Sequence, residues 1–147
     1  MPAASPEPPS KPPVIAELVL TGHHRYRART GDVELILDGA SRDGPNPVQA
    51  LVLSLAGCMA MDVVHVLKKG RHDLRGLRAS LVGTRADTEP RRFISIELHY
   101  DVTGEIAKEH VERAIALSKE KYCSVWHSLR PDIELAVVPV TFPPRPT

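Results

Sequence analysis

The 147-residue sequence is short of aromatic side chains, which make up 4% of it, and it holds only two cysteines. Few rings leave little material for a bulky-substrate pocket. Two cysteines exclude a disulfide-stapled scaffold and a four-sulfur zinc site, but they leave room for one redox pair. Charge of one sign is also missing. Nineteen Lys and Arg stand against 18 Asp and Glu, a net charge of +1, so there is no electrostatic footprint for nucleic acid. No uninterrupted apolar run reaches the roughly 18–20 residues expected of a membrane span. The opening MPAASPEPPSKPP lacks the apolar centre of a signal peptide. The expectation is a cytoplasmic protein with no membrane partner, its thiols kept reduced. GxGxxG, P-loop and GxSxG signatures are absent from the sequence.

What is present fits one folded domain. Six of the 14 prolines fall in residues 1–13 and three more follow Phe142, so both ends read as disordered or extended tails. The boundaries expected are a tail at 1–13, a domain at 14–140 and a second tail at 141–147. Within the domain, residues 14–20, 24–29 and 33–37 read as an antiparallel meander with turns at Gly31-Asp32 and Asp38-Gly39. Residues 48–69 read as a helix that is apolar on almost every side, the pattern of a buried central helix. Asn46 is its N-cap, Pro47 its first residue, and Lys68-Lys69-Gly70 its end. Strands at 74–86 and 93–102 flank a turn at Thr88-Glu89-Pro90. An amphipathic helix spans 105–122, a short helix 123–129 and a last strand 133–140. The fold class is α+β, built around one buried helix.

Cys58 follows Gly57 inside the central helix. A helix-interior glycine costs about 1 kcal/mol relative to alanine. A kink there would place Cys58 at the start of a half-helix, where free N–H groups favour a thiolate. The alternative is a small apolar core residue. Cys123 lies 65 residues away, which matches neither a metal-ligand spacing nor a CxxC motif, and it also reads either as a partner thiol or as a core residue. Arg25, Arg27 and Arg29 alternate on one strand face, which either solvates an edge or holds an anion near a cysteine. Asp62 and His65 share a helical face with Cys58. Seven residues of helix rise about 10 Å, so His65 cannot touch that thiol. His127, four residues after Cys123, is within helical reach of its sulfur. His23 and His24 adjoin a turn, and the seven histidines are scattered, so no metal site is expected.

Three segments, GPNPVQALVLSLAGCMAMDVVHVLKKGR (44–71), GTRADTEPRRFISIELHYDVTG (83–104) and ERAIALSKEKYCSV (112–125), together resemble the OsmC/Ohr family of thiol-dependent peroxidases. They point to its YhfA-like branch, whose function is less settled. The resemblance implies antiparallel sheets wrapped around a buried central helix in an intertwined homodimer, with active sites at the subunit interface. It assigns Cys58 as the peroxidatic cysteine and Cys123 as the resolving one. The Cys58 thiolate would cleave a peroxide O–O bond and become a sulfenic acid, and Cys123 would condense with it to a disulfide. An external dithiol, a lipoyl group in Ohr-like relatives, would reduce that bond. No haem, flavin or metal is implied.

Active relatives hold an arginine in the N-terminal sheet that lowers the thiol pKa. Arg25 and Arg27 are the best matches, with Arg29 behind them. A glutamate near the start of the central helix orients that arginine. The corresponding positions here are Gln49 or Val48, and neither is acidic. Gln49 can accept a hydrogen bond but supplies no charge. This departure keeps a second reading open: a non-enzymatic small-molecule-binding or redox-sensing protein on the same fold. A cysteine hydrolase would need a base in contact with Cys58.

Overall fold

The computed structural model describes residues 11–142, and the chain divides after Ala50 into two compact units. The tails expected at 1–13 and 141–147 therefore lie largely outside the described residues.

In the first unit β1 (Ala16–Gly22), β2 (Arg25–Thr30) and β3 (Val33–Asp38) form an antiparallel meander in the order β1-β2-β3. Arg27 stands opposite Val19 on one side and Ile36 on the other. Gly31 makes the β2–β3 turn at φ 57°, in the left-handed region that a residue without a Cβ enters at little cost. Beyond β3, the Asp38 carboxylate accepts the amides of Ala40 (2.9 Å), Asp43 (3.1 Å) and Arg42 (3.3 Å). Those bonds organise the loop and hold Asp38 below the ordinary carboxylate range. Gly44 then passes so close over the Ile36 carbonyl that a Cβ would collide with it.

α1 (Pro47–Lys69) runs unbroken for 23 residues. By length and composition it could cross a membrane, which corrects the expectation that no segment is long and apolar enough. The sequence reading counted uninterrupted apolar residues, whereas Gln49, Ser54, Asp62 and His65 interrupt the run without lowering its average below that of a span. The helix is also not buried all round: its buried residues are the single stripe Leu55, Met59, Val63 and Leu67.

The second unit carries a three-stranded sheet, β4 (Gly76–Arg85), β5 (Phe93–Thr103) and β6 (Glu134–Phe142), in the order β4-β5-β6. β4 pairs antiparallel with β5, but β6 pairs parallel with it, so the all-antiparallel expectation fails for this sheet. The parallel register follows from the crossover between β5 and β6, which is helical. On β5, Ile96, Leu98, Tyr100 and Val102 alternate onto one buried face. They pack with the α1 stripe and with Val111, Ala114 and Ile115 of α2 (Lys108–Leu117) in one core. Each such valine, leucine, isoleucine or methionine side chain stabilises by about 1.5–3 kcal/mol relative to exposure.

The helix expected over 105–122 is shorter than its pattern. Ala107 is extended, α2 stops at Leu117, and Ser118–Tyr122 widen into a π-helical turn. The short α3 (Ser124–His127) follows. β6 continues two residues beyond the strand end expected at Val140.

Candidate functional site

α1 carries Cys58 and Asp62 one turn apart, so both project from the same side of the helix. α1 is not interrupted at Gly57. Cys58 sits mid-helix, eleven residues and about 16 Å from Pro47, too far for the N-terminal dipole to act on it.

Cys123 is positioned by the π-helical turn. Its amide donates to the Ser118 carbonyl at 2.8 Å, which brings Ser118 and Cys123 to the same end of the turn. Cys123 also caps α3, and its Sγ accepts the Trp126 amide at 3.3 Å. The hydroxyl of Ser118 donates to Asp62 Oδ2 at 2.7 Å. The result is a triangle: Cys58 Sγ, an Asp62 carboxylate oxygen and Cys123 Sγ all lie within 4.8 Å of one another, a set that could hold a metal ion. Both thiols are free.

The environments of the two sulfurs differ. Cys123 is fully buried, whereas Cys58 is partly accessible. Burial pushes the Cys123 thiol up to about 11; the Trp126 amide pulls the other way, and the neighbouring Cys58 and Asp62 add to the rise. Tyr100 lies under the site, its hydroxyl donating to the Ala56 carbonyl at 2.8 Å. Burial, then the two cysteines and Asp62, raise its ionisation well above the ordinary phenol range. Asp62 also lines a cavity of about 520 Å³ with His65, Val66, Lys69, Leu117 and Tyr122.

The other candidates belong to other segments of the chain. Arg25, Arg27 and Arg29 are exposed on one face of the first unit's sheet. Arg25 is paired with Asp43, and Arg29 Nε donates to the Gly31 carbonyl at 3.1 Å. The Arg27 side chain has no hydrogen bond or ion pair among the described residues. Gln49 is a capping residue. Its Oε1 accepts the Asn46 amide (2.9 Å) and the Ser41 hydroxyl (2.8 Å), while its own amide donates to Asn46 Oδ1 (2.8 Å). This is a reciprocal capping box, so the Gln49 carbonyl is occupied by the helix terminus and not by an arginine. The sequence reading found the N-cap but missed this use of Gln49, although Asn-x-x-Gln signals it. His127 gives its backbone amide to the Cys123 carbonyl at 3.0 Å; the donor to the sulfur is Trp126. His23 and His24 meet edge to face in the β1–β2 turn, ring centroids 4.3 Å apart.

Residues 39–138 match the family model described as OsmC-like protein. The chain belongs to the OsmC-like family. The match includes Cys58, Asp62 and Cys123 but begins after the strand that carries the three arginines. Protein YhfA of Escherichia coli K12 is 43% identical over 94 residues, 63% of this chain and 70% of that protein. Among solved structures, a hypothetical protein from Aquifex aeolicus is similar at TM-score 0.84 and 28% identity, over 90% of this chain and 98% of its own. A Legionella pneumophila structure described as an organic hydroperoxide resistance protein shares the OsmC-like fold at TM-score 0.67 and 20% identity, over 89% of this chain and 98% of its own.

Proposed function

We propose that the protein is a thiol peroxidase in which Cys58 reduces an organic hydroperoxide or hydrogen peroxide and Cys123 resolves the product, a role in oxidative-stress defence. The observation that carries this reading is the pair of free thiols within 4.8 Å of each other, one accessible and one buried. The accessible sulfur meets the peroxide. Its thiolate attacks one oxygen, the O–O bond breaks, and the alcohol or water leaves after taking a proton. Cys123 then attacks the sulfenic sulfur. A disulfide forms and hydroxide departs. A thiol held near 11 needs a proton acceptor to attack at neutral pH; the Asp62 carboxylate, within 4.8 Å of its sulfur, takes that proton and passes it to the departing hydroxide, which leaves as water. An external dithiol, a lipoyl group among the candidates, returns the disulfide to two thiols. The task of stabilising the Cys58 thiolate is assigned to Arg25 or Arg27.

The reading includes a homodimer in a reducing cytoplasm. Leu53 and Met61 are 62% and 74% exposed on α1, with Gly57 and Val64 beside Met61. A Cβ at Gly57 would meet nothing within 4 Å, so a second copy's helix can approach there. Leu18, Leu20, Val33 and Leu35 likewise leave one face of the first sheet apolar and exposed.

The test is peroxide consumption by reduced protein with a dihydrolipoamide-regenerating system, comparing cumene hydroperoxide with hydrogen peroxide. Turnover lost in Cys58→Ser is expected, and the faster peroxide sets the substrate class. A wild type no faster than Cys58→Ser would sink the peroxidase reading. The occupied Gln49 carbonyl favours the second reading in that event: a binding or redox-sensing protein whose thiols are poised but slow.

A further inference from the structure

We propose that the reduced thiol pair and Asp62 together form a binding site for one thiophilic divalent cation, with zinc the best match to the donor set. Cys58 and Asp62 present two ligands from one side of α1, and the π-helical turn supplies the third from another segment. Zn–S bonds of about 2.3 Å and Zn–O bonds of about 2.0–2.2 Å give tetrahedral edges of about 3.5–3.8 Å. The three donor atoms already lie within 4.8 Å of one another, so each closes on a central ion by side-chain rotation of about 1 Å or less. Two thiolates and a carboxylate with no other ion is a combination that soft and borderline divalent metals take, whereas magnesium and calcium take all-oxygen sets.

The surroundings fit a ligand set. Ser118 donates to one oxygen of Asp62, which fixes the carboxylate and leaves its other oxygen for a metal. The Trp126 amide donates to Cys123 Sγ, a contact that supports a thiolate once it forms. Among the described residues, Asp62 has no ion pair with a lysine, arginine or histidine, so its carboxylate is not held by a salt bridge. Asp62 also borders the cavity of about 520 Å³, from which water can supply a fourth ligand. Three protein ligands with one open position are the arrangement of an exchangeable or catalytic zinc. Binding releases one proton from each thiol to solvent, so affinity rises with pH. Joining the two sulfurs in a disulfide removes both thiolate ligands. The bound ion therefore reports the reduced state, whether or not the protein turns over peroxide.

The experiment uses the full-length reduced protein under argon. Co²⁺ serves as the spectroscopic probe, and Zn²⁺ affinity is read by competition with a chromogenic chelator. One equivalent of Co²⁺ per chain is expected, with a near-ultraviolet thiolate-to-cobalt charge-transfer band and tetrahedral visible bands. Cys58→Ser and Cys123→Ser each lose about half of the charge-transfer intensity, as one of two thiolates is removed. Asp62→Asn weakens Zn²⁺ binding at least about tenfold while both thiols still titrate. Oxidation of the pair with diamide releases the metal. The proposal is overturned if reduced wild type shows no charge-transfer band. It is equally overturned if the Cys58→Ser/Cys123→Ser double variant keeps wild-type affinity, which would put the ion elsewhere, such as the His72–His110 pair with rings 4.2 Å apart. Cys58→Ser, at a partly exposed position, keeps the test decisive should the buried Cys123→Ser fail to fold. Cobalt binding without peroxide consumption upholds the metal site and removes the peroxidase reading; consumption without cobalt binding does the reverse.

Discussion

The two units of this chain use side chains in opposite ways. In the second unit, β5, α1 and α2 bury a continuous core that includes Cys123, with Cys58 packed against it. In the first unit, the sheet leaves both its arginine face and its Leu18–Leu20–Val33–Leu35 face exposed. One unit therefore contains a site that is chemically specified by its own residues. The other displays charge and apolar surface whose use depends on what covers them. Burial gives a residue a definite partner and a definite pKa, whereas exposure leaves its task to be supplied from outside.

Variants can break or sharpen that contrast, beginning with the largest effect. Cys58→Ser should lower peroxide turnover at least about a thousandfold, because no other group replaces the nucleophile. Leu98→Ala, at the fully buried centre of β5, should cost about 2–5 kcal/mol in urea denaturation, whereas the same truncation at exposed Leu20 should cost far less in the monomer. Arg27→Ala should slow turnover at pH 7 by about tenfold, the loss expected when a cation that stabilises a nucleophilic thiolate is removed. Arg25→Ala should matter less, since Asp43 already pairs with it. Equal losses in both arginine variants would refute the role in thiolate stabilisation.

The fourth expectation concerns pH. Cys123 is held at about 11 in the folded protein, above its value in the unfolded chain. Below the unfolded value both states keep the proton and the stabilisation is complete. As pH rises from about 9 towards 11 only the unfolded thiol ionises, so stability falls. Denaturation midpoints measured across that window should drop in the wild type and stay flatter in Cys123→Ser. The smallest effect is at the helix cap. Gln49→Glu keeps the capping box and adds a negative charge at the α1 N-terminus, worth about 0.3–1 kcal/mol in a denaturation curve. A rise in turnover beyond that gain would connect this position to an arginine.

Regular elements were legible wherever local pattern decides them. β2 alternates, β5 alternates, and α1 starts at an Asn-Pro signal, and all three appear within a residue or two of their expected bounds. The π-helical turn was not legible, because Ser118–Tyr122 carries ordinary helix-forming residues and widens only through the Cys123 amide's bond to the Ser118 carbonyl. That turn is also what brings Cys123 to Asp62's partner Ser118, so the part Ser118 plays stayed hidden with it. Asp62 was visible as a helical neighbour of Cys58, but its proximity to Cys123 depends on long-range packing. Gly57 invited a kink on local grounds. The continuous helix shows that a half-buried glycine can be tolerated without a break.

The central claim is that Cys58 and Cys123 act as one redox unit. It is tested most directly by peptide mapping after reduced protein meets one equivalent of cumene hydroperoxide. The account predicts a Cys58–Cys123 disulfide as the main product, and a stable sulfenic acid at Cys58 when Cys123 is serine. Recovery of both thiols unmodified, or over-oxidation of Cys58 beside a free Cys123, would contradict it.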